Sequence, residues 1–410
     1  MKLIQRNQLL SRPSNQMKRG VFDIVATGVL ASSLVFSSAQ AKNEKQIKDF
    51  SESIEPGYQP IDDDEKGLWM QVNEVERELK NSNFIIDDPA LNEYVRSVLC
   101  KAVGEAECGE IRLYLLRTPY FNASMAPNGM MQVWSGLLLR VQDEAQLATV
   151  LAHEYGHYER RHSLQSFRDI KSKTGSGFFL SFVIPFAGLF MIDSIFSFTR
   201  DMEREADSIS LDYLVKAGYT PISASEIWQQ LRDEQDATAA ERKRKSRKDK
   251  TGGLFATHPN TGERMETLKA KALAANVPDT ATNNVEAFRS AIAPWWPSLI
   301  DDQIKLNDFG ATDFLLNQLA VGGWSADLLY AKGELHRARG KAGDFEEASN
   351  FFQQSIDAGG DYPEIYRGLG LAQMRSGSIE AGQTNLKKYL ELAPDAKDKL
   401  MISMIAGVAQ

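Results

Sequence analysis

Cysteine and histidine are both scarce in this sequence, which has two cysteines and five histidines in 410 residues. A metal site built on Cys100 and Cys108 is not expected, because no histidine or further cysteine lies near them. Two cysteines at this short spacing favour a disulfide if the chain is exported. Such a bond contributes roughly 2–3 kcal/mol in the chain-entropy model. The alternative is two free, partly buried thiols.

The chain also lacks an excess of positive charge. Its formal net charge is -8, and the basic residues do not gather on one predicted face, which argues against a nucleic-acid partner. The exception is residues 236–253, which include Arg242-Lys243-Arg244-Lys245. We interpret this run as a mobile, solvated loop. Contact with a membrane surface or with substrate is the alternative.

Residues 1–41 are typical of a secretory signal peptide. Basic residues come first, followed by an apolar region over residues 24–36 and the small-x-small sequence Ala39-Gln40-Ala41. Cleavage there would leave Lys42 as the mature N-terminus. An uncleaved anchor is the alternative, although the apolar region is short for a span, which needs ~20 residues.

The rest of the composition is that of an ordinary globular protein, with 43% hydrophobic and 25% charged residues. Residues 42–66 are expected to form an extended arm. Apolar spacing then predicts helices over residues 68–79, 91–103 and 260–275. A strand is predicted over residues 111–116, and a hairpin over residues 123–133 that turns at Pro127-Asn128-Gly129.

One segment carries the chemistry: Val150-Leu151-Ala152-His153-Glu154-Tyr155-Gly156-His157, an HExxH sequence within an apolar helical run. Positions i and i+4 share a helix face, so His153 and His157 point the same way. Two such imidazoles can bind one Zn²⁺, and Glu154 beside them can act as a general base. The simpler alternative is a helix that happens to carry two histidines.

A third ligand is expected, because a catalytic zinc site has three protein ligands and one open position. Downstream, Glu203 and Asp207 again lie at i and i+4. We assign Glu203 as the third ligand and Asp207 as the carboxylate that orients a ligand histidine. A solvated, charged helix start is the alternative.

Together these motifs resemble the gluzincins of the M48 type, in which HExxH is followed by ExxxD. The resemblance runs from about Tyr58 to Leu268. It also rests on Asn122-Ala123-Ser124-Met125-Ala126-Pro127-Asn128-Gly129, on Val133-Trp134-Ser135-Gly136-Leu137-Leu138, and on Thr257-His258-Pro259 with Arg264 after it. With its C-terminal part the chain is similar to the periplasmic branch of that family, the β-barrel assembly-enhancing proteases.

The resemblance implies a zinc endopeptidase whose ligands are supported by Asp207 and Arg264. His258 would hang over the metal, where it could stabilise the transition-state oxyanion or occupy the open position and keep the enzyme latent. A strand at Asn122, Ala123, Ser124 and Met125 would take substrate backbone as an added strand. A purely structural hairpin is the alternative. His162 is interpreted as a helix-surface or packing residue.

The stretch from Phe178 to Phe198 carries a single charged residue, Asp193. A single membrane span would separate His157 from Glu203, and two spans would need ~40 residues. We therefore expect two short helical halves, bent near Pro185 and Gly188, that pack against the active-site helix. A hairpin that dips into a membrane surface is the second interpretation, and a true span is the third.

The C-terminal part contains an internal repeat of 34 residues, the tetratricopeptide period. Leu335, Gly343, Phe345, Ala348 and Phe352 recur as Leu369, Gly377, Ile379, Gly382 and Leu386. Two repeats are fewer than independent stability usually requires. We therefore expect residues 309–332 to supply a degenerate helix pair, and the repeats to dock on the protease domain.

The sequence thus predicts an α+β, mostly helical protein in the periplasm. The expected parts are a signal peptide (1–41), a zinc metalloprotease domain with a small β-sheet (42–275), a helical linker (276–308) and a tetratricopeptide-repeat-like helical domain (309–410). With one Zn²⁺ per chain, it would hydrolyse misfolded or misassembled envelope proteins. By resemblance, the repeats would recruit these polypeptide substrates or a partner such as the outer-membrane assembly machinery.

Two other functions stay open at this point. One is a chaperone or assembly scaffold for outer-membrane proteins, in which proteolysis is latent. The other is a metal-binding protein without turnover, and the presence of Glu154, which zinc binding does not need, argues against it.

Overall fold

The computed structural model describes residues 54–174, 198–246, 258 and 262–408. The predicted signal peptide and nearly all of the apolar stretch that ends at Phe198 therefore lie outside the described residues, and both stay predictions. Within the described ranges, no helix is long and apolar enough to cross a membrane.

Three short strands form a sheet: β1 (Arg112–Leu116), β2 (Ala123–Met125) and β3 (Met130–Trp134). β3 lies in the middle, parallel to β1 and antiparallel to β2, with Ala123 opposite Val133. The predicted strand and hairpin are confirmed. The turn between β2 and β3 requires Gly129, which has φ of 85°, a conformation that costs glycine little. β2 forms one edge of this sheet.

Helices make up most of the remaining chain. In the first half they are α1 (Asp63–Lys80), α2 (Pro89–Val103), α3 (Glu105–Gly109), α4 (Ser135–Arg140), α5 (Glu144–Glu159), α6 (His162–Thr174), α7 (Arg200–Lys216) and α8 (Ser223–Glu241). They continue as α9 (Gly262–Ala274), α10 (Val285–Ile292), α11 (Trp296–Lys305), α12 (Phe309–Leu319), α13 (Ala326–Arg339), α14 (Asp344–Asp357), α15 (Pro363–Ser376), α16 (Ile379–Leu392) and α17 (Lys399–Ile405). Short 3₁₀ turns at Ala293–Trp295 and Ala320–Gly322 link some of them. The predicted α+β, mostly helical fold is confirmed.

α5 is the central helix, and every residue from Glu144 to His157 is buried. It packs against α2, α7, α8 and β2. Its first turn is closed by Asp143, whose side chain accepts a hydrogen bond of 2.7 Å from the backbone N–H of Gln146. This is the usual role of aspartate at a helix N-cap. The HExxH residues are therefore held in place by three neighbouring helices and a strand.

Two sequence-based expectations are wrong at their boundaries. Residues 63–66 belong to α1, not to an extended arm, because Asp62 caps that helix by accepting from Glu65 N at 3.0 Å. Residues 236–241 belong to α8, not to a loop. There Gly310 of α12 approaches so closely that a Cβ at that glycine would lie 2.4 Å from the Ala237 carbonyl oxygen. Residues 247–253 of the basic run lie outside the described ranges.

Cys100 and Cys108 are joined by a disulfide, with their Cα atoms 5.0 Å apart. The bond links the last turn of α2 to α3. Both side chains are buried within the main hydrophobic core. The pairing expected from the sequence is therefore present in the structure.

The repeating residues occupy equivalent places in two helix pairs, α13–α14 and α15–α16. Gly343 and Gly377, which lie 34 residues apart, precede the second helix of each pair with φ of 84° and 92°. Leu335 and Leu369 are both buried on the first helix of each pair. Residues of α12 and α13 belong to the same core cluster as the sheet and α5. The assignment to the tetratricopeptide family stays a prediction.

Candidate metal centre

The site begins with the close approach of α5 and α7, which Gly156 allows. A Cβ at this position would lie 3.2 Å from Ile209 Cγ2 and 3.4 Å from the Ala206 Cα atom. A larger residue would fit only if Ile209 or the helix backbone shifted by a few tenths of an ångström. Because they lie so close, the first turns of α7 bring Glu203 and Asp207 against the HExxH residues.

The three predicted ligands converge on one point. The Nε2 atoms of His153 and His157 lie 3.1 Å apart. The Glu203 carboxylate oxygens lie 3.7 Å from each of these nitrogens. Together with His258, these residues each place a ligand atom within 4.8 Å of the others. Two imidazole nitrogens and one carboxylate oxygen form a ligand set that zinc prefers in catalytic sites.

Asp207 and Arg264 surround this ligand set. Asp207 Oδ1 lies 3.1 Å from His153 Nδ1, so the other ring nitrogen of His153 faces the ligand cluster. Arg264 Nη1 lies 2.7 Å from Glu203 Oε2. Its Nη2 and Nε donate to the two Asp207 oxygens at 2.6 and 2.8 Å. The guanidinium therefore holds both carboxylates, and it also stacks 4.5 Å above the ring of Trp228.

His258 reaches into the same space. Its Nδ1 lies 2.9 Å from Glu203 Oε1 and 3.3 Å from His153 Nε2. Its Nε2 lies 3.5 Å from Glu154 Oε1. The imidazole thus stands between the ligand atoms and the carboxylate expected to act as general base.

The protonation states suit a metal. Burial lowers the pKa of His153 and His157, which keeps these rings neutral and able to bind a cation. Burial alone would raise the pKa of Glu203 and Asp207. His258 and Arg264 outweigh it at Glu203, and Arg264 and His153 outweigh it at Asp207, so both groups stay ionised. For His258, burial would lower the pKa as it does for the other two histidines, but the carboxylates of Glu203 and Glu154 raise the pKa to about 9. The site therefore attracts positive charge.

A small cavity opens beside Glu154, and some of the residues that line it were not predicted from the sequence. Asn122 and Ala123 line it, as expected, whereas Ser124 and Met125 do not. The others include Phe121 and Trp228, whose rings meet edge to face with centroids 6.4 Å apart, and Thr149. The i, i+4 spacing from Thr149 to His153 could have predicted that residue. No pattern predicts Trp228, because it lies far away in the chain.

His162 is buried at 1% exposure, so the surface interpretation is wrong. Its Nδ1 lies 2.8 Å from Nδ1 of His157. The packing interpretation is correct in part, but this packing is a polar contact made directly to a proposed ligand.

Comparison with known proteins agrees with this geometry. Residues 89–272 match the family described as Peptidase family M48. This chain carries an M48 peptidase domain. The matched residues include both helices that supply His153, His157 and Glu203.

The M48 domain has relatives in bacteria and in mitochondria. The chain is 26% identical over 175 residues to the β-barrel assembly-enhancing protease of Escherichia coli K12, a match that covers 38% of the chain and 36% of the relative. It is 25% identical over 213 residues to the Yersinia pestis protein of that name, covering 48% and 42%. It is 27% identical over 183 residues to the mitochondrial metalloendopeptidase OMA1 of Schizosaccharomyces pombe, covering 43% and 51%. Each match spans about half of the relative's length or less.

Proposed function

We propose that this protein is a zinc-dependent endopeptidase. The observation that carries the proposal is the convergence of His153, His157 and Glu203 in one buried cluster, with Glu154 beside it, within the M48 domain. The named activity of the relatives supports the proposal, since they are called proteases or metalloendopeptidases.

Each residue has a defined task in this proposal. His153, His157 and Glu203 would hold the ion, which supplies Lewis acidity to the scissile carbonyl and to water. Glu154, buried at 4% exposure, accepts the proton of the attacking water and passes it to the leaving amine. Asp207 keeps the Nε2 atom of His153 directed at the cluster, and Arg264 holds Asp207 and Glu203 in place.

The edge of the sheet can align a peptide next to Glu154. Trp134 N donates to Asn122 O at 3.0 Å, and Ala126 N donates to Met130 O at 2.8 Å. Because paired residues alternate along an antiparallel strand, the backbone groups of Ala123 and Met125 point away from β3. In the described part of the chain, no strand pairs with that outer edge. Substrate backbone added there would bind with little demand on its side chains.

His258 keeps this enzyme latent in the proposal. Its ring lies where water and the scissile carbonyl would have to enter, in contact with both Glu203 and Glu154. Cleavage then requires His258 to move away from the ligand atoms. This contact is also what favours a scaffold function with latent proteolysis as the second candidate.

The proposed cellular role rests on the disulfide, on the N-terminal residues and on the names of the bacterial relatives. The Cys100–Cys108 disulfide fits an oxidising compartment, and the N-terminal residues are typical of export. We therefore place the protein in the periplasm, where it would degrade misassembled envelope proteins. The names of the bacterial relatives refer to β-barrel assembly, so the helix pairs α13–α16 would recruit such substrates or their assembly machinery.

The proposal is tested by following casein cleavage by the purified protein before and after removal of its metal. We expect wild-type cleavage, or His258→Ala cleavage if the latch is tight, to stop with a zinc chelator and to return with added Zn²⁺. Cleavage that persists without metal would overturn the enzyme class. Absence of cleavage by both proteins with zinc bound would favour the scaffold.

A further inference from the structure

We infer that His162 is a positioning residue, one that accepts a hydrogen bond from the Nδ1–H of His157 and so directs the Nε2 atom of His157 at the metal. This inference rests on the proposed zinc site and adds a residue to it. It concerns a histidine that lies outside the HExxH and ExxxD motifs.

The contact is short, buried and polar. His162 Nδ1 lies 2.8 Å from His157 Nδ1, and both side chains are 1% exposed. On its other side, His162 Nε2 lies 3.4 Å from Glu205 Oε2 of α7. Glu205 also lies 3.2 Å from Arg160 Nε. The ring of His162 is thus held between a proposed ligand and a half-exposed ion pair.

Proton positions follow from this arrangement. A ring nitrogen that binds a metal carries no proton, so a neutral His157 that binds through Nε2 must carry its proton on Nδ1. That proton needs an acceptor, because a buried donor without one is costly. Nδ1 of His162 lies within reach of it, 2.8 Å from His157 Nδ1. His162 must then carry its own proton on Nε2, which faces the Glu205 carboxylate.

His153 has a matching arrangement, with Asp207 at its Nδ1. Metal-binding histidines usually donate their second N–H to a carboxylate, a backbone carbonyl or water. At His157 the acceptor is instead the neutral imidazole of His162. The Nε2 atom of His162 in turn faces the carboxylate of Glu205. Both ligand rings therefore have a polar partner that fixes which nitrogen faces the ion.

The local backbone is built for this contact. Two residues on one helix that are five apart point roughly 140° away from each other. The chain leaves α5 at Arg161, which has φ of 54°, a left-handed conformation that is uncommon for a residue with a side chain. This reversal turns His162 back towards His157.

The first test compares the zinc affinity of two variants by competition with a chromophoric chelator. His162→Leu keeps much of the volume but removes the acceptor. His162→Asn keeps an acceptor oxygen near the position of Nδ1. We expect His162→Leu to weaken zinc binding by about 10- to 100-fold and His162→Asn to remain within about threefold of wild type. A role in packing alone predicts that leucine does at least as well as asparagine, and that result would overturn the inference.

His336→Leu serves as the matched control, because this histidine of α13 contacts Asp344 and Phe351 of α14 and belongs to neither the ligand cluster nor the cavity beside it. Its zinc affinity should equal that of wild type. If His162→Leu does not fold, Glu205→Ala replaces it, since Glu205 is half exposed. That variant should weaken zinc binding by a few-fold, and unchanged affinity would count against the relay.

A second readout needs no variant. In zinc-loaded protein with ¹⁵N-labelled histidine, His162 should carry its proton on Nε2 and His157 on Nδ1. A proton on Nδ1 of His162 would overturn the inference. If wild type binds no zinc, the proposed function fails. If wild type binds zinc and His162→Leu binds it equally well, only this inference fails.

Discussion

The imidazole of His258 contacts Glu154, with His258 Nε2 3.5 Å from Glu154 Oε1. The other nitrogen of the same ring lies 2.9 Å from Glu203 Oε1. One side chain therefore contacts both the proposed general base and the proposed third ligand.

His258→Ala should activate the enzyme. If the ring blocks the site in about nine of ten molecules, its removal raises casein cleavage about tenfold. Initial rates at equal zinc content measure the effect, with His336→Ala as the control for removing a histidine elsewhere. A fall in the rate would mean that His258 acts in the transition state instead of as a latch.

Arg264→Met should destabilise the metal-free protein by about 3–5 kcal/mol, because it leaves the buried carboxylates of Glu203 and Asp207 without their cation. Urea unfolding of the chelator-treated protein measures this. Added Zn²⁺ should restore part of the loss. The control is Arg204→Met, since this half-exposed arginine pairs with the exposed carboxylates of Asp201 and Glu263 and its loss should leave the midpoint unchanged. Equal midpoints for both variants would contradict the assignment.

Asp143 should make stability depend on pH. Burial raises the pKa of Asp143 to about 6, although the hydrogen bond from Gln146 acts to lower it. This value lies above the unfolded pKa of about 3.9. The contribution of Asp143 to the free energy of unfolding is fully present below pH 4 and is lost as the pH rises through 6, because the folded state resists ionisation of this carboxyl group. Asp143→Asn keeps an N-cap acceptor and removes this dependence.

The measurement for Asp143 is the free energy of unfolding of Asp143→Asn minus that of wild type, taken at pH 4 and at pH 7. We expect this difference to increase by about 2–3 kcal/mol over the interval. A flat difference, or one that decreases, would show that Asp143 ionises normally in the folded protein.

The disulfide should add a modest amount of stability. Replacing Cys100 and Cys108 together by alanine is expected to cost roughly 2–3 kcal/mol, since the bond closes only a short loop. Urea unfolding of oxidised wild type, reduced wild type and the double variant measures the cost. Reduced wild type should resemble the double variant. Equal stability of all three would mean that the bond is not formed in solution.

Helical spacing explains why the three proposed ligands could be predicted from the sequence. His153 and His157 share a helix face, and so do Glu203 and Asp207, whatever the rest of the chain does. The hairpin of the sheet could be predicted in a similar way, because Pro127-Asn128-Gly129 determines where it turns. Local rules of this kind suffice when partners lie within one or two turns of each other.

His162 and Trp228 show where such rules fail. The position of His162 depends on the reversal at Arg161, and no spacing rule signals a left-handed arginine. Trp228 reaches the site from α8, and only the packing of α8 against α5 places it there. The end of α8 was missed for a related reason, since Ala237 is held in the helix by its contact with Gly310 of α12.

The central claim is that Glu203 holds the metal while Glu154 only moves protons. The most direct measurement is zinc bound per chain, with casein cleavage, in Glu154→Gln and Glu203→Gln on the His258→Ala background. We predict that Glu154→Gln retains one zinc and loses cleavage, whereas Glu203→Gln loses the zinc as well. Full zinc occupancy in Glu203→Gln, or normal cleavage by Glu154→Gln, would contradict the account.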